Sequence, residues 1–121
     1  MGRAWGRLPD RSDFLRIAAN GVRIGAPAFL LQAAMRSSDH LDTGSRVGFT
    51  VSRKIGNAVM RNRAKRRLRS AADAVMSQFN SAQLDFVLIA RPPAITRAFA
   101  SLTEELRRTA TKAASQLQRA P

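Results

Sequence analysis

Apolar and polar positions along this chain alternate between helical and strand-like periods. Phe14, Ile17 and Ala18 recur on one helical face. Asp10 stands at the N-cap position, Asp13 in the first turn, and Gly21 where a C′ glycine would end a short helix. Residues 22–24 predict a brief strand and Gly25-Ala26-Pro27 a turn. Residues 28–35 predict a second strand with Phe29, Leu31 and Ala33 on one side, and residues 36–44 a polar loop. From Arg46 to Ser52 the alternation is strict, with Val47, Phe49 and Val51 on one face and Gly48, Thr50 and Ser52 on the other.

Gly56 then turns the chain, and Asn57 is placed to cap a long helix reaching about Gln78. At about 100° per residue, Ala64, Leu68, Ala71, Ala72, Val75 and Phe79 share one stripe. Residues 84–90 are apolar apart from Asp85, as in a strand buried on both faces, and Arg91-Pro92-Pro93 stops them. Ser101-Leu102-Thr103-Glu104 has the pattern of a capping box. Leu102, Leu106, Ala110, Ala113 and Leu117 follow as the apolar face of a last helix. The order α-β-β-β-α-β-α predicts a single-domain α+β sandwich over residues 9–119, with residues 1–8 as a flexible basic arm.

Charge changes this picture most. The 121 residues carry a net charge of +13, and 18 of the 21 basic residues are Arg. Six of the nine residues from Arg61 to Arg69 are cationic, and no acid occurs between Asp42 and Asp73. Like charges spaced i, i+4 destabilise a helix that has no anionic partner, so the block implies a dense array of phosphates. Arg61, Lys65 and Arg69 form a row on one flank of the apolar stripe; Arg63 and Arg67 lie on the other, with Asn62 and Arg66 between. The charge covers the whole exposed arc, which implies two RNA-facing surfaces or one partner that wraps the helix.

Little else in the chain offers chemistry. Cysteine is absent, which excludes disulfides, a thiol nucleophile and Cys-based metal sites and fits a reducing cytoplasm. The one histidine, His40, lies in a polar loop with no second His or Cys to complete a site. The acids do not cluster as two-metal phosphodiester cleavage requires, and no nucleophile elbow is present. No apolar run reaches the ~18 residues of a membrane span. Phe14 is placed either to stack on a base or to pack against the sheet. Trp5 docks either on RNA or on its own domain. Phe49, Phe79 and Phe86 fall on apolar faces and belong to the core. These features suit an RNA-binding protein that is not itself a nuclease. A structural RNA-binding protein, such as a ribosomal protein, shares them. A third reading, a DNA binder using the basic helix in a major groove, suffers from the absence of a zipper or helix-turn-helix.

The stretch from Arg46 to Arg69 closely resembles the signature of the bacterial ribonuclease P protein subunit. Its core is Gly56-Asn57-Ala58-Val59 followed by Arg61-Asn62-Arg63 and Lys65-Arg66. Asp13-Phe14 before Gly21, Asp85 to Pro92, and the last helix agree too, so the resemblance spans roughly residues 7–117. It implies the ribosomal protein S5 domain 2-like fold, with a left-handed crossover from the third strand through the basic helix to the fourth, against the usual hand. It implies a protein that assists a catalytic RNA in removing the 5′ leader of precursor tRNA. The Mg²⁺ would be bound by the RNA subunit and substrate, catalysis would reside in RNA, and no obligate protein partner is expected. By similarity, the leader would contact Phe14, Gln32, Lys54, Arg61, Asn62, Lys65 and Arg69, and the RNA subunit Arg53, Arg63, Arg66 and Arg67. Ala18 and Gln32 stand where relatives often carry aromatics, which shifts leader binding from stacking toward hydrogen bonds.

A surface that neutralises about six phosphates should give RNA binding a log–log salt slope near −4 to −5, at ~0.7 to 0.9 per contact. Titrations across a range of KCl concentrations measure it. A slope shallower than about −2 would mean that the basic helix is largely idle.

Overall fold

The apolar run predicted to be covered on both faces is the middle strand of a five-stranded sheet. The computed structural model describes residues 5–36 and 44–119. Its elements are β1 (Gly6–Arg7), α1 (Arg11–Asn20), β2 (Val22–Gly25), β3 (Phe29–Met35), β4 (Arg46–Thr50), α2 (Ala58–Val75), β5 (Leu84–Ala90), α3 (Pro93–Thr96) and α4 (Phe99–Arg119). Two 3₁₀ segments, Arg53–Ile55 and Met76–Ala82, flank α2. The strand order is β1-β4-β5-β3-β2. The β1–β4 and β4–β5 pairs are parallel, and β3 pairs antiparallel with both β5 and β2. The fold is α+β, and α2 is the crossover between the parallel neighbours β4 and β5.

Alternation along the strands assigns the two faces. On one face Phe29, Leu31, Ala33, Val47, Phe86 and Leu88 join the apolar stripes of α2 and α4 in the main core. Every member of the predicted α2 stripe is buried, as are Leu102, Leu106, Ala110 and Ala113 of α4. On the other face, cross-strand partners line up in rows. One row is Arg46–Asp85–Ala34, the next Gly48–Val87–Gln32–Arg23, and the last Thr50–Ile89–Leu30–Gly25. Helix α1 packs over this face through Ile17, which joins Leu8, Ala34 and Val87 in a second small cluster. The last row is left partly or fully exposed.

A charge cluster sets where α1 lies. Asp85 is fully buried, and its carboxylate accepts from Arg46 Nε at 2.8 Å and Arg46 Nη2 at 2.7 Å. Arg16 of α1 donates to the same carboxylate, and to the carbonyl of Met35 at 3.1 Å. Asp13 lies 3.6 Å from Arg46, so a second residue of α1, one turn before Arg16, is tied to the sheet. The bond to Asp85 raises Arg46 above the usual arginine range, against the opposing pull of burial.

Several expectations need correction. Residues 5–8 are not a loose arm. Trp5 and Leu8 are buried, and β1 pairs with β4 through Gly6 N to Ser45 O (2.9 Å) and Leu8 N to Val47 O (3.1 Å). Two residues are too few to show a strand period. Gly21 does not end α1 in the left-handed region, since its φ is −87°. A Cβ there would collide with the carbonyls of Ala33 and Ile17, so close approach demands the glycine. Asp10 holds the N-cap position without a side-chain cap bond. The capping box at Ser101 is not used: α4 begins earlier, at Phe99, and Leu102 N already bonds to Ala98 O at 3.0 Å. Helix α2 gives way to 3₁₀ geometry after Val75, short of Gln78. Its start is as expected, with Asn57 Oδ1 accepting from Met60 N at 3.0 Å. His40 lies outside the described residues.

Removing one partner of a buried pair leaves the other charge uncompensated. Asp85→Ala should therefore lower stability by about 3–5 kcal/mol, read as a fall in the urea midpoint at unchanged m-value. Arg46→Met with Asp85→Leu should recover much of the loss, because an apolar pair asks for no counter-charge.

Candidate nucleic-acid interface

The basic helix is positioned by its own apolar stripe. Burial of Ala64, Leu68, Ala71, Ala72 and Val75 turns most of the cations outward. Arg63, Lys65 and Arg66 are exposed, and Arg61 and Arg69 half-buried. Two hollows open along the flank that faces β4. One, of about 370 Å³, lies between α1 and α2 across the β1–β4 edge; Phe14, Lys65, Arg69 and Phe49 are among its walls. The other, of about 300 Å³, is lined by Phe49, Val51, Ala58, Arg61, Asn62 and Lys65. Lys65 belongs to both, so the two form one continuous track beside α2.

Phe14 is half-buried. One part packs beside Ile17 and Val87. The rest overhangs Gly48, where any Cβ would collide with Phe14 Cζ. The glycine thus lets the aromatic ring settle on the strand while it borders the groove. Trp5 docks on its own domain: its ring lies edge-on to Phe49, with centroids 5.7 Å apart, and Nε1 donates to Asp73 Oδ1 at 2.9 Å.

The structure brings Phe14, Arg61, Asn62, Lys65 and Arg69 together on this track. Arg63 and Arg66 line neither hollow and point into solvent on the rest of the arc. Arg53 and Lys54 are exposed on the 3₁₀ turn after β4, beside the helix N-terminus but outside both linings. Two candidates stand apart. Gln32 is only 5% exposed, in the row between Val87 and Arg23, so it is covered rather than presented. Arg67 is turned inward, with Nε donating to Ala94 O at 2.8 Å and Nη2 to Arg97 O. It closes the end of α3, whose carbonyls need donors. Arg97 in turn donates to the buried Glu105, which accepts from Ala28 N at 3.3 Å. Helical spacing placed Arg67 on the exposed arc because α3, a neighbour distant in sequence, is invisible to it.

Sequence reasoning passed over the Arg46–Asp85–Arg16 cluster. One signal was present: Asp85 is the lone charge in an otherwise apolar strand, and a buried acid needs a cation. Among the described residues, no group of three or more His, Cys, Asp and Glu could hold a metal ion. Among them, too, no helix is long and apolar enough to cross a membrane.

The comparisons with known proteins agree with the geometry. The Ribonuclease P family model matches residues 4–114. The ribonuclease P protein component of Paramagnetospirillum magneticum is 48% identical over 101 residues, covering 83% of this chain and 76% of its own. That of Gluconacetobacter diazotrophicus is 45% identical over 107 residues, covering 88% and 90%. The solved structure of the RNase P protein from Thermotoga maritima superimposes with a TM-score of 0.73 at 26% identity, covering 88% of this chain and 96% of that one. The chain therefore belongs to the ribonuclease P protein family, the RNA-binding protein component of a tRNA-processing ribonucleoprotein.

Proposed function

We propose that this protein clamps the 5′ leader of precursor tRNA against the ribonuclease P catalytic RNA, using two flanks of one helix for two RNAs. The observation that carries the proposal is the division of α2. Arg61, Asn62, Lys65 and Arg69 open onto an aromatic-walled track beside Phe14, while Arg63 and Arg66 face away from it. A track of that kind suits single-stranded RNA: cations follow the backbone and a ring offers a stacking face. The leader is the single-stranded part of the substrate. The outward flank, with Arg53, presents separate guanidinium forks to the phosphates of the folded RNA subunit. Lys54, exposed on the 3₁₀ turn before α2 and outside both hollows, is assigned to the leader as a further cation.

In this reading the protein supplies binding and orientation, and the RNA supplies the chemistry. The Mg²⁺ ions of the reaction are assigned to the RNA subunit and the substrate. The acids best placed to matter in this chain are committed elsewhere, Asp85 to Arg46 and Arg16, and Glu105 to Arg97 and the backbone. The site of action is the cytoplasm, where precursor tRNA is processed.

Phe14→Ala should weaken precursor tRNA binding by the assembled enzyme, removing a stacking contact worth ~1–3 kcal/mol. Mature tRNA and the RNA subunit should bind as before. Arg63→Ala with Arg66→Ala should do the reverse and weaken assembly with the RNA subunit. Paired titrations, of protein into RNA subunit and of assembled enzyme into substrates with and without a leader, separate the two, after circular dichroism shows both variants folded. Equal loss of the same interaction in both variants would replace the two flanks with a single shared RNA face.

The protein freed of RNA should not cleave precursor tRNA at any Mg²⁺ concentration, and the RNA subunit should cleave at lower Mg²⁺ when the protein is added. Cleavage that survives rigorous nuclease treatment and repurification would refute the division of labour.

A further inference from the structure

The segment before α1 forms a wall of the groove through Trp5, Arg7, Leu8 and Pro9. Along β1 the side chains alternate. Leu8 joins the small cluster under α1, and Trp5 joins the main core under α2. Arg7 shares the side of Trp5 and borders the same groove as Lys65 and Arg69. That groove thus has three cations in its walls and no carboxylate. Arg7 is exposed and makes no ion pair or side-chain hydrogen bond among the described residues. Three like charges gathered round one concavity repel each other unless an anion enters.

The backbone of Arg7 is held firmly for a residue so near the chain's start. The bonds from Gly6 N to Ser45 O and from Leu8 N to Val47 O bracket it. Two residues upstream, Trp5 is 5% exposed, bonded to Asp73 and edge-on to Phe49. Asp73 lies one turn beyond Arg69 on α2, so the same helix that carries two groove cations also anchors the strand that carries the third.

We infer that Arg7 is a phosphate ligand of the groove, closing a three-cation clamp with Lys65 and Arg69 on the backbone of single-stranded RNA. Trp5 is its positioning residue, acting through the Asp73 bond. The inference rests on the reading of the groove as an RNA track.

The test uses the full chain without the RNA subunit and a fluorescein-labelled pentauridylate, followed by anisotropy over a range of KCl concentrations. Trp5 is the chain's one tryptophan, so its emission should also change when unlabelled pentauridylate binds the wild type. Arg7→Gln should weaken binding roughly tenfold and make the salt slope shallower by about 0.7. Lys65→Gln should do the same, and Arg108→Gln on α4 should do neither. If Lys65→Gln loses affinity and Arg7→Gln does not, the clamp is overturned while the track stands. If neither variant loses affinity, the track reading falls and the clamp falls with it. Trp5→Phe should weaken binding in the wild-type background and add nothing in the Arg7→Gln background, since a positioning residue has nothing left to position. Additive losses would overturn that role. Asp73→Ala, which leaves the ring in place and removes its acceptor, carries the same test if Trp5→Phe does not fold.

Discussion

A buried carboxylate on the central strand governs the arrangement of everything on the α1 side of the sheet. Asp85 sits on β5, the middle strand of five, and is fully buried. A carboxylate there is tolerated only with charged partners. Arg46 answers from the neighbouring strand in the same row, and Arg16 from the helix above. The second of these bonds reaches across layers and fixes α1 over one end of the sheet face. With α1 so placed, Phe14 overhangs Gly48, the groove opens toward α2, and the last row of the face stays uncovered. A pair of hydrophobic residues in place of Asp85 and Arg46 could fill the same space, but it would not specify the angle of α1. Here the ion cluster contributes geometry more than net stability.

Helix α2 resolves two opposing demands by periodicity. Its Ala-rich stripe allows close packing on the sheet, and close packing holds the helix despite the repulsion among its cations. Arg67 shows that part of the surplus charge serves the fold itself. One guanidinium satisfies the carbonyls at the end of α3, and through Arg97 and Glu105 the network reaches the β2–β3 turn. The basic helix is thus braced on its core side by the stripe and along one flank by Arg67, while the flank toward β4 stays open. A rigid array of cations loses less entropy on meeting an anion than a flexible one.

Much of this was legible in the residues. The strict alternation from Arg46 to Thr50, the stripe from Ala64 to Phe79 and the apolar run from Leu84 to Ala90 each carry their own period, because burial against a single layer imprints a local repeat. The density of cations from Arg61 to Arg69 named the class of partner, since charge is a property of composition and survives any fold. The short motif from Gly56 to Arg66 narrowed that class to one family.

Other features became readable only once distant segments met. Trp5 and Arg7 looked like a loose arm because a two-residue strand has no period; its place comes from the open edge of β4. Gly21 looked like a helix cap but is required by a carbonyl of β3, twelve positions further on. Gln32 was placed at the leader by resemblance, and Arg67 on the exposed arc by its angle on the helical wheel; burial within the sheet face and the carbonyls at the end of α3 withdrew them from the surface. The sequence by itself determined what depends on neighbours in the chain: the periods of the long elements, the capped start of α2 at Asn57, and the concentration of charge. The tertiary structure alone decided which cations are free and which are spent, where α1 lies, and which walls make a groove, because those depend on contacts between residues tens of positions apart.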